Sequence, residues 1–323
     1  MQVPLAIPAK RAFDAVGFGL NAVDHLIVVE RYPPLDSKTR LREHQQTTGG
    51  QAATTMVALT RLGLRTAYAG RFGSNQEGQF GFQSLREEGV DLKFAEVVSG
   101  ARNQIAFIII DGRSGERTIV WDRDERLAYS AREAPTSLAA QGRVLHLDAH
   151  DPPACSQLAQ AARAAGTIVS ADIDSIYPGL AELLPLLDVL IASKDFPKRF
   201  TGISDERTSL MELKMRFGCP VIGMTLGTRG AMVYCQERFV ESPAYEVPGS
   251  CRDTTGAGDA FRGGFLYGLL TGADLETTLK IANAVAALKC RKLGARTALP
   301  GKQELAEFLT SARAFQYPQI RYG

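Results

Sequence analysis

The sequence predicts an α/β fold with a mostly parallel central sheet covered by helices on both faces, and a small antiparallel sheet beside it. From about residue 143 onward, short strand-forming runs alternate with helix-forming segments, which is the pattern of parallel βαβ units. Earlier in the chain, a strand near 26–30, an extended stretch before Gly49 and a later hairpin lack this alternation. We expect these strands to form a lid from segments at about 25–48 and 100–122.

The elements of the N-terminal part follow from apolar patterning and turn residues. An apolar run over 13–19 predicts a buried first strand, and the polar stretch 38–48 is extended without helical periodicity. Gly49-Gly50 begins a helix over about 51–62, which Gly63 ends. Further expected elements are a strand followed by a loop within 64–73, a helix at 78–88 and a hairpin of strands 105–110 and 118–121.

The C-terminal part repeats strand and helix patterns. The expected strands are 144–147, 168–171, 189–192, 221–225 and 231–234, and the expected helices are 154–165, 178–186, 205–217, 275–289 and 302–314. Another helix follows Gly258, since Phe261, Phe265 and Leu269 recur every four residues. A large α/β domain can reach 323 residues, so we expect a single domain over 1–323.

Composition excludes several classes of protein. The net charge of +2 gives no electrostatic reason to bind nucleic acid or an anionic membrane. No apolar run approaches about 20 residues, so no membrane-spanning helix is expected. The five cysteines are an odd number without Cys-x-x-Cys spacing, and no secretory signal is recognisable, which predicts reduced thiols in a cytoplasmic protein.

The chain is organised around the stretch Asp253-Thr254-Thr255-Gly256-Ala257-Gly258-Asp259, which leads into a helix. A glycine-rich turn at a helix N-terminus presents free N–H groups and the positive end of the helix dipole, which favours a phosphate. Asp259 could then act as a base, and Asp253 could help to hold a cation. The structural alternative is that an Asp before a helix is an N-cap and the glycines form a plain tight turn.

Other residues occupy positions typical of ligand binding. Asn21 and Asp24 follow the first strand, and residues 226–230 follow a later strand, which is where α/β sheets bind ligands. The pair Gly49-Gly50 would let a substrate hydroxyl pack against the main chain. Asp24 is explained equally well as a turn-forming residue, and the glycine pair as part of a loop.

The sequence lacks several common catalytic motifs, and this limits the reactions that we expect of the protein. The sequence has no Gly-x-x-x-x-Gly-Lys-Ser/Thr phosphate loop, no Gly-x-Ser-x-Gly elbow and no metal-ligand spacing among its four histidines. What remains is phosphoryl transfer in which Asp259 accepts the proton of a substrate hydroxyl. The helix N-terminus would stabilise the charge on the transferred group.

The stretch 253–261 followed by Gly264 closely resembles the C-terminal signature of the ribokinase-like (PfkB) carbohydrate kinases. Residues 49–63 are similar to the N-terminal signature of that family, and 115–118 match its lid. The resemblance spans roughly residues 13–313. It implies a three-layer ribokinase-like fold and ATP-dependent transfer of the γ-phosphate to a hydroxyl of a sugar, such as a ketose or a related hexose or pentose.

The resemblance also implies roles for residues at the matching positions. Asp259 would be the general base, and the amides of Gly256, Ala257 and Gly258 the anion hole. The implied sugar-binding residues are Asn21, Asp24, Gly49, Gly50 and Thr54, and the implied nucleotide-binding residues are Ser193, Thr225, Gly227, Gly230 and Asn283. Mg²⁺ would accompany ATP, and Asp253 with the carbonyl of Thr255 would line a K⁺ site closed near Gly294. In many relatives the lid also forms a homodimer interface.

Two departures from the family pattern affect specificity and metal binding. Thr54 stands where many relatives have an Asn that contacts the sugar, so their sugar specificity does not carry over. Their Asn-x-x-Glu motif appears as residues 193–196, where Asp195, one position early, is the candidate Mg²⁺-linked acid. This stretch is similar to ketohexokinases, whereas the N-terminal signature resembles the sulfofructose-kinase branch. Arg102 is the lid residue we nominate for substrate contact, with a solvated surface charge as the alternative.

Two other functions stay open. A nucleoside kinase on the same scaffold would need an apolar or aromatic platform for a base, for which the lid offers Phe107 and Trp121. A catalytically silent sugar-binding or regulatory protein would have the same fold. The intact Asp259 and anion hole argue against the silent protein.

Overall fold

The structure, a computed structural model, describes residues 1–113 and 115–311. Its strands are β1 (Phe13–Phe18), β2 (Ala22–Val29), β3 (Leu41–Gly49), β4 (Thr66–Ala69), β5 (Arg71–Gly73), β6 (Glu96–Val98), β7 (Ile105–Asp111), β8 (Arg117–Asp122), β9 (Gly142–Leu147), β10 (Ile168–Ile173), β11 (Val189–Ala192), β12 (Val221–Thr225), β13 (Ala231–Cys235) and β14 (Arg238–Ser242). Its α-helices are α1 (Gln51–Arg61), α2 (Gln76–Glu87), α3 (Pro152–Ala164), α4 (Leu180–Leu183), α5 (Phe196–Thr201), α6 (Glu206–Phe217), α7 (Ala257–Leu270), α8 (Leu275–Lys289) and α9 (Lys302–Ser311).

The main sheet has the strand order β14-β13-β12-β11-β10-β9-β1-β4. Neighbours from β4 to β12 are parallel, whereas β13 and β14 add an antiparallel edge. Side chains alternate between the two faces of each strand, so Val144 packs in the core with α1, α7 and α8, and Leu145 packs in the core with α3. The chain therefore has the predicted mostly parallel sheet between two helical layers.

The lid sheet consists of β3, β2, β7 and β8 in that order. The β3–β2 and β7–β8 pairings are antiparallel as predicted, but β2 and β7 are parallel, because the chain passes through the main body between them. The inner side of the lid sheet buries Leu26, Ile108 and Ile110 against Leu293 of the main body. Its outer side exposes Phe107 and other apolar side chains to solvent.

Several predicted boundaries shift. The predicted helix 178–186 is α-helical only over Leu180–Leu183 and continues as a 3-10 turn, since Pro185 has no N–H to donate. The short helix α5 was not predicted, because six residues are too few to show a periodicity. The predicted helix 302–314 forms α9 as far as Ser311, and residues 312–314 lie outside the described residues.

Candidate active site

Two cavities lie at the carboxyl ends of the parallel strands, on the two sides of the N-terminus of α7. The lid cavity, of about 310 Å³, lies under the lid sheet and is lined by Asp24, Ala106 and Trp121 among others. The strand-end cavity, of about 540 Å³, extends over the ends of β10 to β12. Both cavities are lined by the same five residues where they meet: Gln51, Arg117, Asp174, Gly256 and Asp259.

Asp259 lies in the first turn of α7, at the boundary of the two cavities. Burial raises the pKa of its carboxyl group to about 6, although the positive charge of Arg262 opposes the shift. The main chain of Asp259 is held from the opposite helix, because Thr55 of α1 donates a hydrogen bond of 3.2 Å to its carbonyl oxygen. A carboxylate with a pKa just below neutrality is well suited to accept a proton at physiological pH.

The turn before Asp259 presents backbone N–H groups to the same boundary. Among the described residues, the N–H groups of Gly256 and Gly258 have no protein acceptor, whereas that of Ala257 donates to the carbonyl of Thr254 at 3.1 Å. Gly256 has a φ of 74°, and a Cβ atom there would lie 2.7 Å from the Cβ of Ala295. Glycine is therefore required at this point of the turn.

A polar network crosses the floor between the cavities. Gln51 Nε2 donates to Asp174 at 3.1 Å, and its Oε1 lies 3.1 Å from His150 Nε2. Asp172 forms a buried ion pair of 2.6 Å with Arg262. Asp174 lines both cavities, and its Oδ1 is buried without a hydrogen-bond partner among the described residues.

Asp24 contributes a buried carboxyl group to the lid cavity. Burial raises its pKa to about 7, and the positive charge of Arg296 opposes this shift. Gly49 makes room for this carboxyl group, since a Cβ atom at position 49 would lie 2.1 Å from Asp24 Oδ2. Gly50, with a φ of 92°, lines the lid cavity directly.

Arg296 lies next to Thr54, and its place in the site was not predicted from the sequence. Its buried guanidinium donates to Thr54 Oγ1 at 3.2 Å, to Thr48 Oγ1 at 3.3 Å and to the carbonyl of Gly49. Thr54 is fully buried behind these bonds and does not line the lid cavity. The amide nitrogen of Asn21 is likewise directed inward, to Tyr68 and to the carbonyl of Arg71.

Most of the predicted nucleotide-binding residues meet in the strand-end cavity. Ser193, Thr225, Gly227 and Asn283 line it. The amide nitrogen of Asn283 donates to the carbonyl and hydroxyl of Ser242 at 3.1 and 3.0 Å, which leaves its oxygen for a ligand. Gly230 lies behind this wall, where its carbonyl oxygen accepts a hydrogen bond from the N–H of Leu226. Asp195 is exposed at the start of α5 and is not part of the lining.

The predicted cation ligand Asp253 is fully buried behind the turn. Its carboxylate accepts the N–H of Thr255 and the N–H of Gly294, both at 2.8 Å. Lys289 Nζ lies 3.7 Å from the same carboxylate and donates to the carbonyl of Asp253 at 2.8 Å. Thr255 itself lines the lid cavity.

Arg117, at the start of β8, reaches from the lid to the turn before α7. Its Nη1 donates to Thr254 Oγ1 at 2.6 Å, and its side chain lines both cavities. The lid match at 115–118 was the only sequence signal for this residue. Arg102, which the sequence suggested instead, is 71% exposed, pairs with Asp122 and lines neither cavity.

The fold and the two joined cavities fit a phosphotransferase, and comparison with known proteins identifies the family. A family model described as "pfkB family carbohydrate kinase" matches residues 14–302. The chain is 26% identical over 316 residues to a nucleoside kinase of Methanothermobacter thermautotrophicus, covering 94% of this chain and 98% of that one. It is 28% identical over 294 residues to an ATP-dependent ribose-1-phosphate kinase of Halopiger xanaduensis, covering 89% and 95% of the two chains.

Solved structures show the same fold. The structure of Arabidopsis thaliana ribokinase with ribose and ATP superimposes with a TM-score of 0.81, at 22% identity, covering 92% of this chain and 98% of that one. The chain belongs to the pfkB family of carbohydrate kinases and has its ribokinase-like fold. None of the helices in the described residues is long and apolar enough to cross a membrane.

Proposed function

We propose that this protein is an ATP-dependent kinase that transfers the γ-phosphate to a hydroxyl group of a sugar, a ketose or a related hexose or pentose. The observation that carries the proposal is the position of Asp259. Its carboxyl group lies where the lid cavity and the strand-end cavity meet, beside the free N–H groups of Gly256 and Gly258. An acceptor on one side and a phosphate donor on the other would both reach this point.

The reaction follows from this placement. A substrate hydroxyl in the lid cavity would lose its proton to Asp259 while its oxygen forms a bond to the γ-phosphorus. The bond from that phosphorus to the β-phosphate oxygen would break, and ADP would remain in the strand-end cavity. The N–H groups of Gly256 and Gly258 would stabilise the negative charge of the transferred group, as in other phosphoryl-transfer sites. Asp24 would accept hydrogen bonds from hydroxyl groups of the acceptor.

ATP as donor is supported by the name of the ATP-dependent ribose-1-phosphate kinase to which the chain is similar. Asp174 fits Mg²⁺, because it lines both cavities and carboxylate oxygens are preferred protein ligands of this ion. The described residues contain no cluster of acids, histidines or cysteines that could hold a metal by itself, so ATP phosphates would complete the coordination. The ion would neutralise phosphate charge, and Asp174 is a better candidate for its ligand than the exposed Asp195.

A nucleoside kinase is the second candidate, because the lid cavity has an aromatic wall. The rings of Trp121 and His150 meet edge-on at 6.3 Å between centroids, and those of His150 and Tyr177 lie 4.8 Å apart. Such rings could stack on a base. Phe107, the other ring considered from the sequence, points to the outer side of the lid and stacks on His25.

ADP release from ATP and Mg²⁺ across a panel of ketoses, aldoses, sugar phosphates and nucleosides tests these functions against each other. We expect release with a sugar. Faster release with nucleosides than with any sugar would favour the second candidate. Release with no member of the panel, although ATP binds, would favour a catalytically silent sugar-binding protein and contradict the proposal.

The proposed base predicts a defined pH dependence. Asp259 accepts a proton only when it is ionised, and burial raises its pKa to about 6. Asp24, with a pKa raised to about 7, titrates in the same cavity, so we expect kcat/KM to fall by at least tenfold per pH unit below the pKa of Asp259. Initial rates in overlapping buffers measure the profile. A rate unchanged through the region around that pKa would contradict the assignment of the base.

Arg117 is expected to contribute to catalysis from the lid, because its guanidinium lies at the cavity boundary and contacts Thr254. We expect Arg117→Ala to lower kcat about 100-fold through the loss of a positive charge near the transferred group. Arg102→Ala, which removes an exposed arginine of the lid, is the control and should retain activity. Equal activity of the two variants would show that Arg117 has no such role.

The outer side of the lid sheet is the surface we propose for a homodimer. Phe107 and Val120 are opposite each other on β7 and β8 and are 42% and 58% exposed. Light scattering after size exclusion tests this, and a dimer that persists in Phe107→Glu would contradict it. The cysteines are free thiols, which fits the reducing environment of the cytoplasm that we propose as the location.

A further inference from the structure

Asp253 lies at the position that the family resemblance assigns to a cation ligand, but both of its carboxylate oxygens already accept hydrogen bonds. Its two carboxylate oxygens each accept a backbone N–H, from Thr255 on one side and from Gly294 on the other, both at 2.8 Å. Asp253 therefore ties the turn before α7 to the loop that follows α8. Each N–H occupies one of about two lone-pair sites on its oxygen, so fewer sites remain for a metal ion.

The positive charge in this site is supplied by the chain itself. Lys289, the last residue of α8, is fully buried. Its Nζ donates to the carbonyl oxygen of Asp253 at 2.8 Å and lies 3.7 Å from the carboxylate. A K⁺ ion that used the same carbonyl and carboxylate oxygens would have to lie beside the ammonium group, and two positive charges at that separation in a buried site repel. A free monovalent cation therefore does not fit these residues.

We propose that the Lys289 ammonium replaces the monovalent cation, so that the turn before α7 is held in its binding conformation without K⁺. The ammonium balances the charge of Asp253 and bonds to its carbonyl, two residues before Thr255 and three before Gly256. The consequence for catalysis rests on the proposed kinase activity, whereas the consequence for stability does not. Lys289 is a positioning residue, since it lines neither cavity.

The first test uses the unmodified protein with ATP supplied as a Tris salt. Rates and melting temperatures are measured in tetramethylammonium chloride, which is too large to enter a cation site, and in KCl at equal ionic strength. We expect kcat, KM and melting temperature to be the same in the two salts. A several-fold rise in kcat, or a rise in melting temperature specific to K⁺, would overturn the proposal.

The second test removes the charge with Lys289→Met. This substitution leaves the buried carboxylate of Asp253 without its counter-charge, so we expect a lower melting temperature and a several-fold loss of kcat in tetramethylammonium chloride. KCl should restore part of both, since K⁺ can then enter the vacated space. Lys280→Met, an exposed lysine of the same helix, is the control and should show no response to K⁺.

A Lys289→Met protein with normal stability and activity in both salts would also overturn the proposal. If this variant does not fold, Lys289→Gln keeps a hydrogen-bond donor without the charge and gives the same comparison of salts. The melting temperatures separate this proposal from the proposed function. If no acceptor is phosphorylated, the K⁺ dependence of the melting temperature still decides whether Lys289 replaces the cation.

Discussion

Asp259→Asn is expected to lower kcat for phosphoryl transfer about 10³- to 10⁴-fold, because an amide cannot accept the proton of the substrate hydroxyl. The substitution keeps the size of the side chain and removes its charge at the cavity boundary. Binding of ATP, measured by calorimetry, should be retained. Stability should be unchanged or slightly raised, since burial disfavours the ionised carboxyl group.

Asp274→Asn is a matched control for this substitution. Asp274 caps the neighbouring helix α8 through a 2.8 Å bond from the N–H of Thr277, and Asn is an equally good cap. This variant should have the kcat of the unmodified protein. Turnover of Asp259→Asn within a few-fold of the control would show that another group accepts the proton.

Gly256→Ala is expected to reduce kcat about 100-fold, because the turn must move when a Cβ atom is added and a displacement of about 1 Å at a reacting centre has an effect of this size. The new Cβ would lie 2.7 Å from the Cβ and 2.8 Å from the Cα of Ala295, which is backbone and cannot rotate away. The left-handed φ of 74° adds strain of about 1–2 kcal/mol.

Gly272→Ala separates the two effects. Gly272 follows the end of the same helix with a φ of 79°, and a Cβ there would have no atom within 4 Å. Both variants should lose stability in chemical denaturation, because both place alanine in the left-handed region. Only Gly256→Ala should lose kcat. An equal loss of kcat in both would mean that stability, rather than the position of the turn, limits activity.

Much of the candidate site could be predicted because its parts are local in the chain. The turn 253–258 and Asp259 form one segment, so their mutual geometry follows from a glycine-rich turn and a helix start. Thr225 ends a parallel strand of the main sheet, and parallel strands bring such positions to one edge of the sheet. Asp24 was expected in a turn but lies inside β2, and Gly50 follows β3, so the lid sheet brings these two residues to the lid cavity. The structure places these residues at the two joined cavities.

Other parts of the site could not be predicted, because they depend on residues far apart in the sequence. Thr54 was expected at the acceptor, but Arg296, 242 positions later, covers its hydroxyl. Arg117 meets Thr254 across 137 positions, whereas Arg102 remains on the surface of the same lid. No spacing rule relates such pairs, since they meet only after the lid and the loop after α8 have packed on the main body.

By itself, the sequence determined the α/β fold, the family and the segment that would perform the chemistry. These depend on apolar periodicity and on turn residues, which act over a few positions. Only the tertiary structure decided which charges face one another: Asp253 with Lys289, Asp24 with Arg296, and Asp172 with Arg262. A buried charge without a partner is costly, so each of these carboxylates needs a positive group beside it. That group comes from a distant element that packs against it, and sequence neighbours do not indicate which one.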